Sequence, residues 1–228
     1  MTDLMILNPD TGNESFEKQF EHIGINRTYG FDAGKLDPDT IAGLNRAAKD
    51  AFLIISNSLE DVDHRLSNGW MILTGIGTYG DQFLKRALVA YMGLGANVDE
   101  EATCPRTFTD DQGNQLNGKY NYVLHFDKDQ LPPVEAFWSV TMYDKDFFLV
   151  ENDIERYAIA DYTPGLEYND DGSLDIYIQK FEPVNHKSNW LPAPKDSFNL
   201  DFNLLLRLYQ PSAKTCQITT QHKKDCTI

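Results

Sequence analysis

The sequence has little cysteine, little positive charge and no long apolar run. No stretch approaches the roughly 18 apolar residues of a membrane span. The opening Met1-Thr2-Asp3-Leu4-Met5-Ile6-Leu7-Asn8 lacks the basic start and apolar run of a secretory leader. Three cysteines, Cys104, Cys216 and Cys226, are an odd number with no CxxC pair, which fits reduced thiols better than a disulfide framework. Together these features predict a soluble protein that stays in the cytoplasm. Lysine and arginine number 20 against 35 aspartates and glutamates, a formal charge of −15. Such a surface repels phosphate backbones and anionic lipid, so neither nucleic acid nor a membrane is an expected partner. Nucleophile elbow, HExxH and phosphate-loop motifs are also missing. The five histidines, His22, His64, His125, His186 and His222, show no metal-ligand spacing. No metal is therefore expected, and no cofactor is specified.

At 228 residues, 41% hydrophobic and 12% aromatic, the chain is long enough for one large domain or two small ones with a sizeable core. The first third is helical in pattern. Asp37-Pro38 supplies a cap and a proline at the first helical position. Ile41, Leu44, Ala48, Phe52, Ile55 and Leu59 then recur at three- and four-residue spacing as one apolar stripe. A second helix is predicted from Asp81, with Leu84, Ala87, Leu88, Tyr91 and Leu94 along one side and Gly95 ending it.

From about residue 118 the period becomes two. Tyr120, Tyr122, Leu124 and Phe126 share one face, and so do Ala136, Trp138, Val140 and Met142. Asp144-Lys145-Asp146 predicts a turn, and Asn169-Asp170-Asp171-Gly172-Ser173 a hairpin turn rather than a calcium loop. Phe198, Leu200, Phe202, Leu204, Leu206 and Leu208 alternate with Asn199, Asp201, Asn203 and Arg207, which puts one face in a core. Short strands joined by turns predict an α+β fold: a helical N-terminal part packed on an antiparallel, jelly-roll-like β-sandwich. The chain after Pro211 is polar and predicts a disordered tail over 212–228.

Gly75-Ile76-Gly77-Thr78-Tyr79-Gly80 matches GxGxxG between a strand-like segment and a helix, with Asp99, Glu100 and Glu101 about twenty residues on. A dinucleotide site is one reading. The turn-like, acidic Gly95–Glu101 segment and the antiparallel remainder favour a tight packing loop instead. His125, opposite the aromatic row of its strand, reads as a satisfied or exposed histidine. Arg207, at a polar-face position, needs an acidic partner if buried, with Asp161, Asp201 or Glu155 available to supply it.

Several segments resemble a known family. They include Asn68-Gly69-Trp70, Tyr79-Gly80-Asp81, Tyr91-Met92-Gly93-Leu94-Gly95-Ala96-Asn97 and Leu131-Pro132-Pro133-Val134-Glu135-Ala136-Phe137-Trp138-Ser139. Thr141-Met142-Tyr143-Asp144, Arg156-Tyr157-Ala158-Ile159, Asn189-Trp190-Leu191-Pro192-Ala193-Pro194 and Leu206-Arg207-Leu208-Tyr209 belong to the same set. The pattern is similar to the DUF1214 family from about residue 66 to 211. The resemblance implies a jelly-roll-like C-terminal part from about residue 105. It also implies a usual place behind a DUF1254 region, of which residues 1–65 would be a helical remnant. It carries no established catalytic residues.

Two function readings stay open. In the first the chain is a hydrolase acting on a glycan or another polar small molecule. Asp144 is then the acid or base and Arg156 the clamp on an anionic group. Tyr143, Asn152, Tyr157, Asn189, Trp190 and Arg207 bind ligand, with Trp190 as a stacking platform. In the second it is a non-catalytic binding or assembly module, with a homo-oligomer or a partner protein covering any exposed apolar patch.

Overall fold

The computed structural model describes residues 7, 12–26, 30–195, 200–212 and 222–223. The chain divides into two compact units. One comprises Met1–Leu59 with Gly80–Tyr91, and the other Glu60–Tyr79 with Met92–Ile228. Gly80–Tyr91 thus joins the helical unit, although its position in sequence suggests the second domain.

The helical unit begins with a single turn, α1 (Glu14–Glu17), which runs on as a 3₁₀ segment to Ile23. Its main element is α2 (Pro38–Asn57). The expected cap is present: Asp37 Oδ1 accepts from the Asp39 and Thr40 amides at 3.0 and 2.9 Å, and Oδ2 from the Thr40 hydroxyl at 2.6 Å. These bonds satisfy donors that a helix start leaves open. The expected stripe is only partly covered. Ile41, Leu44, Ile55 and Leu59 are half-buried, while Phe52, Leu53 and Ile54 are 57–58% exposed. In α3 (Phe83–Met92) the buried residues are Lys85, Leu88, Val89 and Met92. Leu84, Tyr91 and Leu94, expected on the inner side, are exposed. The buried row keeps the i, i+3, i+4, i+7 spacing, but Lys85 within it hid it from a search for apolar residues.

The second unit is a sandwich. One sheet has strand order β1 (His64–Ser67), β2 (Trp70–Leu73), β4 (Arg106–Thr107), β10 (Phe202–Pro211), β6 (Val134–Asp144), β7 (Ala158–Ala160), with β3 (Ala102–Thr103) also on β10. The other joins β5 (Tyr122–Phe126), β8 (Leu174–Gln179) and β9 (Trp190–Pro192), with β11 (His222–Lys223) beside β5. Among the described residues all strand pairings are antiparallel except β8 with β9, which is parallel and departs from the purely antiparallel expectation.

The inner faces form one cluster. Trp138, Val140, Met142, Leu204, Leu206 and Leu208 of the first sheet meet Leu124, Phe126, Ile176, Ile178 and Leu191 of the second. The Phe126 and Trp138 rings lie 5.8 Å apart, as do those of Tyr122 and Phe202. This fulfils the period-two reading for Tyr122, Leu124, Phe126 and the last strand, whereas Tyr120 and Ala136 are exposed. Phe198 and Asn199 lie outside the described residues, as do Cys216, Cys226 and nearly all of the expected tail. The outer face of the larger sheet is not a solvated face, because Asn203, Leu205, Arg106, Ser139 and Thr141 are all buried.

Leu206, fully buried between the sheets, gives a direct test. Leu206→Ala is expected to cost about 2–5 kcal/mol in urea unfolding. A cost below about 1 kcal/mol would mean that the core relaxes into the space and that the packing described here is wrong.

Candidate functional site

At the end of β6 the chain reverses through Asp144–Phe148. Asp144 Oδ1 accepts from the amides of Asp146 and Phe148, both at 2.9 Å. The Asp144 amide donates to Phe148 O at 2.8 Å. Phe147 takes φ +66°, a left-handed conformation that costs a bulky residue about 1–2 kcal/mol. The turn places Phe148 outward at 72% exposure. Behind it, residues 148–153 with Asp144, Pro194 and Lys195 line an open groove of about 690 Å³. Three carboxylates, Asp144, Glu151 and Asp153, meet one ammonium there, and Lys195 Nζ is bound to Asp153 at 2.6 Å. The hydrogen bond from Lys195, then its charge, holds the Asp153 carboxyl below its usual range, so it stays ionised.

Of the predicted site residues, only Asp144 and Asn152 reach this groove. Asn152 is committed to its own loop: Nδ2 donates to Val150 O and Arg156 O, and Oδ1 accepts from the Arg156 amide. The Arg156 guanidinium donates to the carbonyls of Lys187 and Trp190 at 2.7 and 3.0 Å. It ties two loops together rather than clamping an external anion. Trp190 is 6% exposed, its indole N–H donating to Gln179 O at 2.8 Å. The stacking platform expected of it does not fit that burial. Asn189, 1% exposed, accepts from the Glu167 amide through Oδ1 and donates through Nδ2 to Glu167 O and Asp175 O. Tyr157 supplies its backbone carbonyl to the Met142 amide.

Tyr143 and Arg207 belong to a different cluster, on the outer face of the larger sheet. Asn203 pairs with Tyr143, Arg207 with Ser139, and Leu205 with both Thr141 and Arg106. Arg207 donates to Thr141 Oγ1 at 2.6 Å and to Tyr143 Oη at 2.5 Å. No acidic partner joins it: among the described residues none of Asp161, Asp201 and Glu155 pairs with it, contrary to expectation. Sequence reasoning missed Arg106, which is only 5% exposed. It donates to Asn203 Oδ1 at 2.6 Å and to Met92 O at 3.4 Å, and lies 4.9 Å from the Phe147 ring centre and 5.4 Å from that of Tyr143. Burial pulls its guanidinium down to about 10; Tyr143 and Cys104 oppose the shift and the like charge of Arg207 adds to it. Arg106 therefore remains a cation at neutral pH. Burial likewise pushes the neighbouring Cys104 thiol up, against the pull of Arg207 and Arg106.

Residues 101–213 match the model of a protein family of unknown function, DUF1214. Through this segment the chain belongs to the DUF1214 family. The match begins at Glu101, so the motifs at 68–97 fall outside it. The fold is similar to that of VPA0106 from Vibrio parahaemolyticus, with a TM-score of 0.54 and 22% identity over 94% of this chain. An uncharacterised protein from Burkholderia cenocepacia is less similar, with a TM-score of 0.37 and 17% identity over 96% of this chain. The chain spans half the length of each of these two proteins. No curated protein matches the sequence.

Two further motifs are explained locally. Ahead of the DUF1214 segment, the glycine loop follows β2, which pairs antiparallel with both neighbours. The Gly75 amide donates to Asp99 Oδ2 at 3.0 Å. Gly77 has φ +89°, and a Cβ there would sit 2.7 Å from Asn97 C and Val98 N. Its glycine is a packing requirement. His125, within the domain, is flanked by Asp175 on Nδ1 at 2.6 Å and Asp127 on Nε2 at 3.1 Å. Asn169 in turn donates to Asp175 Oδ2 at 3.1 Å, which ties the Asn169–Ser173 turn to the same group. The turn leads into β8 but, contrary to expectation, no strand among the described residues precedes it to make a hairpin. Among the described residues, no three His, Cys, Asp or Glu side chains gather to hold a metal ion.

Burial of His125 disfavours its charge, but the hydrogen bonds and charges of Asp175 and Asp127 outweigh it, and its pKa lies above 6.5. A raised folded value stabilises the fold fully below the unfolded pKa, and the gain disappears as pH rises through the folded value. Wild type should therefore exceed His125→Gln in unfolding free energy by more at pH 6 than at pH 8.5. Equal gaps at the two pH values would show that the imidazole does not titrate against these carboxylates.

Proposed function

We propose that this DUF1214 chain is a non-catalytic binding module that takes a hydroxyl-rich or cationic small molecule, a carbohydrate before others, in the groove at Asp144–Asp153 and Pro194–Lys195. The groove itself carries the reading. Its 690 Å³ is of the size that holds small ligands. Carboxylates accept from sugar hydroxyls or ammonium groups, and exposed Phe148 offers the apolar face on which a sugar ring stacks. Phe148 thus takes the role that the sequence suggested for Trp190.

The hydrolase reading has less support. Its clamp, Arg156, and its platform, Trp190, are both spent on loop carbonyls. Asp144 turns one carboxylate oxygen into its own hairpin, which leaves less of it for proton transfer to a substrate. Cytoplasmic residence, association with a DUF1254 region and self-association belong to the same proposal. Among the described residues no helix is long and apolar enough to cross a membrane.

Thermal unfolding against neutral sugars, amino sugars and polyamines tests the reading. A true ligand at a hundred times its dissociation constant adds about 2.7 kcal/mol. That gain should vanish in Phe148→Ser and shrink in Glu151→Gln, both at exposed positions where the fold is expected to survive. Arg156→Ala should instead lower stability and leave affinity unchanged. Absence of any saturable shift would reject the groove as a binding site. Glycoside turnover abolished by Asp144→Asn would replace the module with the hydrolase.

A further inference from the structure

The outer-face cluster carries charge that nothing in the described structure neutralises. Arg106 and Arg207 flank the same Tyr143 ring, at 5.4 and 5.6 Å from its centre. Among the described residues every hydrogen-bond partner of the two guanidiniums is neutral: Asn203, Met92 O, Thr141 and Tyr143. Cys104 also lies within their field, and its raised pKa keeps it a thiol. The chain is not short of acid, since it carries 35 acidic residues, yet the strand positions opposite these arginines are neutral: Leu205 and Met71 for Arg106, and Ser139 for Arg207. Two like charges held together on a largely buried face repel each other and lose hydration. Ring contacts and neutral hydrogen bonds offset only part of that. Each planar fork has five N–H donors, more than these bonds use.

We propose that Arg106 and Arg207 form an oxyanion site that binds the carboxylate or phosphate group of a small ligand. The two forks supply charge-assisted donors, in the arrangement that suits bidentate recognition of such groups. Tyr143 Oη accepts from Arg207, so its own proton is available to the anion. Phe147, aimed at Arg106 by its left-handed backbone, forms an apolar wall that strengthens the contacts by excluding water. Cys104, Tyr143 and Arg207 are only half-buried, which leaves the anion a way in. The site goes beyond the groove reading and shares none of the groove's lining side chains.

The test uses the full chain, titrated with inorganic phosphate and with acetate, against sodium chloride at matched ionic strength. Thermal unfolding and calorimetry are the readouts. Phosphate or acetate should give a saturable rise in Tm that chloride does not, and the stronger of the two identifies the tetrahedral or the planar oxyanion. Arg207→Gln should weaken that binding at least about tenfold, the scale of one lost charge-assisted bond. Should Arg207→Gln not fold, Arg207→Lys keeps the charge, loses the fork and should weaken binding in the same direction. Phe148→Ser should leave anion affinity unchanged, which separates this site from the groove. A response no greater than that of chloride, or one untouched in the foldable Arg207 variant, would overturn the proposal.

Discussion

The antiparallel pairing of β10 with β6 is the constraint on which the second unit depends. It runs in register from Phe202 opposite Asp144 to Tyr209 opposite Phe137. Because side chains alternate along a strand, this register settles two faces at once. Leu204, Leu206 and Leu208 go to the core with Met142, Val140 and Trp138. Asn203, Leu205 and Arg207 go to the other face with Tyr143, Thr141 and Ser139. A slip of one residue would put Arg207 among leucines and send the leucines to the polar face. The cost of burying an unpaired charge there, of order several kcal/mol, fixes the register as firmly as the apolar burial does.

The loops around this ladder are held mostly by side-chain amides and one guanidinium bonded to backbone groups. Asn152 closes the Val150–Arg156 loop on itself. Asn189 joins Glu167 to Asp175, Asn203 reaches the Tyr143 and Asp144 carbonyls, and Arg156 draws Lys187 and Trp190 together. Such bonds satisfy carbonyls that loops cannot pair by themselves. They also explain why residues that look functional in sequence are structural in the fold. An asparagine or arginine beside a strand end fits a ligand and an unpaired carbonyl equally well.

That ambiguity marks the limit of what could be read before the structure. The last strand, the Asp37 cap and the Asn169–Ser173 turn were legible because their signals are local: alternation, a capping aspartate followed by proline, and turn residues. The roles of Arg156 and Trp190 were not, because their partners are separated from them by 31 and 34 residues and by 11. Arg106 escaped notice for another reason. Its strand has two residues, too short to show any period, and its burial comes from tertiary packing. The family resemblance pointed correctly to the domain, and its DUF1214 segment covers the ladder and both candidate sites. It could not rank residues, since a motif shared for packing and one shared for binding look alike in a single sequence.

The two candidate sites differ in how tightly the fold holds them. The groove's polar and aromatic contacts, Phe148, Glu151 and Asp153, are exposed side chains on loops, and changing them alters chemistry at little cost to the core. Arg106, Arg207 and Tyr143 are rooted in the central ladder and bonded to its neighbours. Changing them disturbs the ladder itself, so any effect on the proposed anion binding would come together with a loss of stability. A family keeping one fold while altering its ligands would therefore vary the groove and retain the arginine pair. The end of β6 joins the two: Tyr143 meets the arginines on the outer face of the sheet, and Asp144 starts the turn that carries the groove. One strand terminus thus sets the position of a cationic cluster on the sheet and an acidic groove in the loop beside it, and the register that seals the core also fixes where both lie.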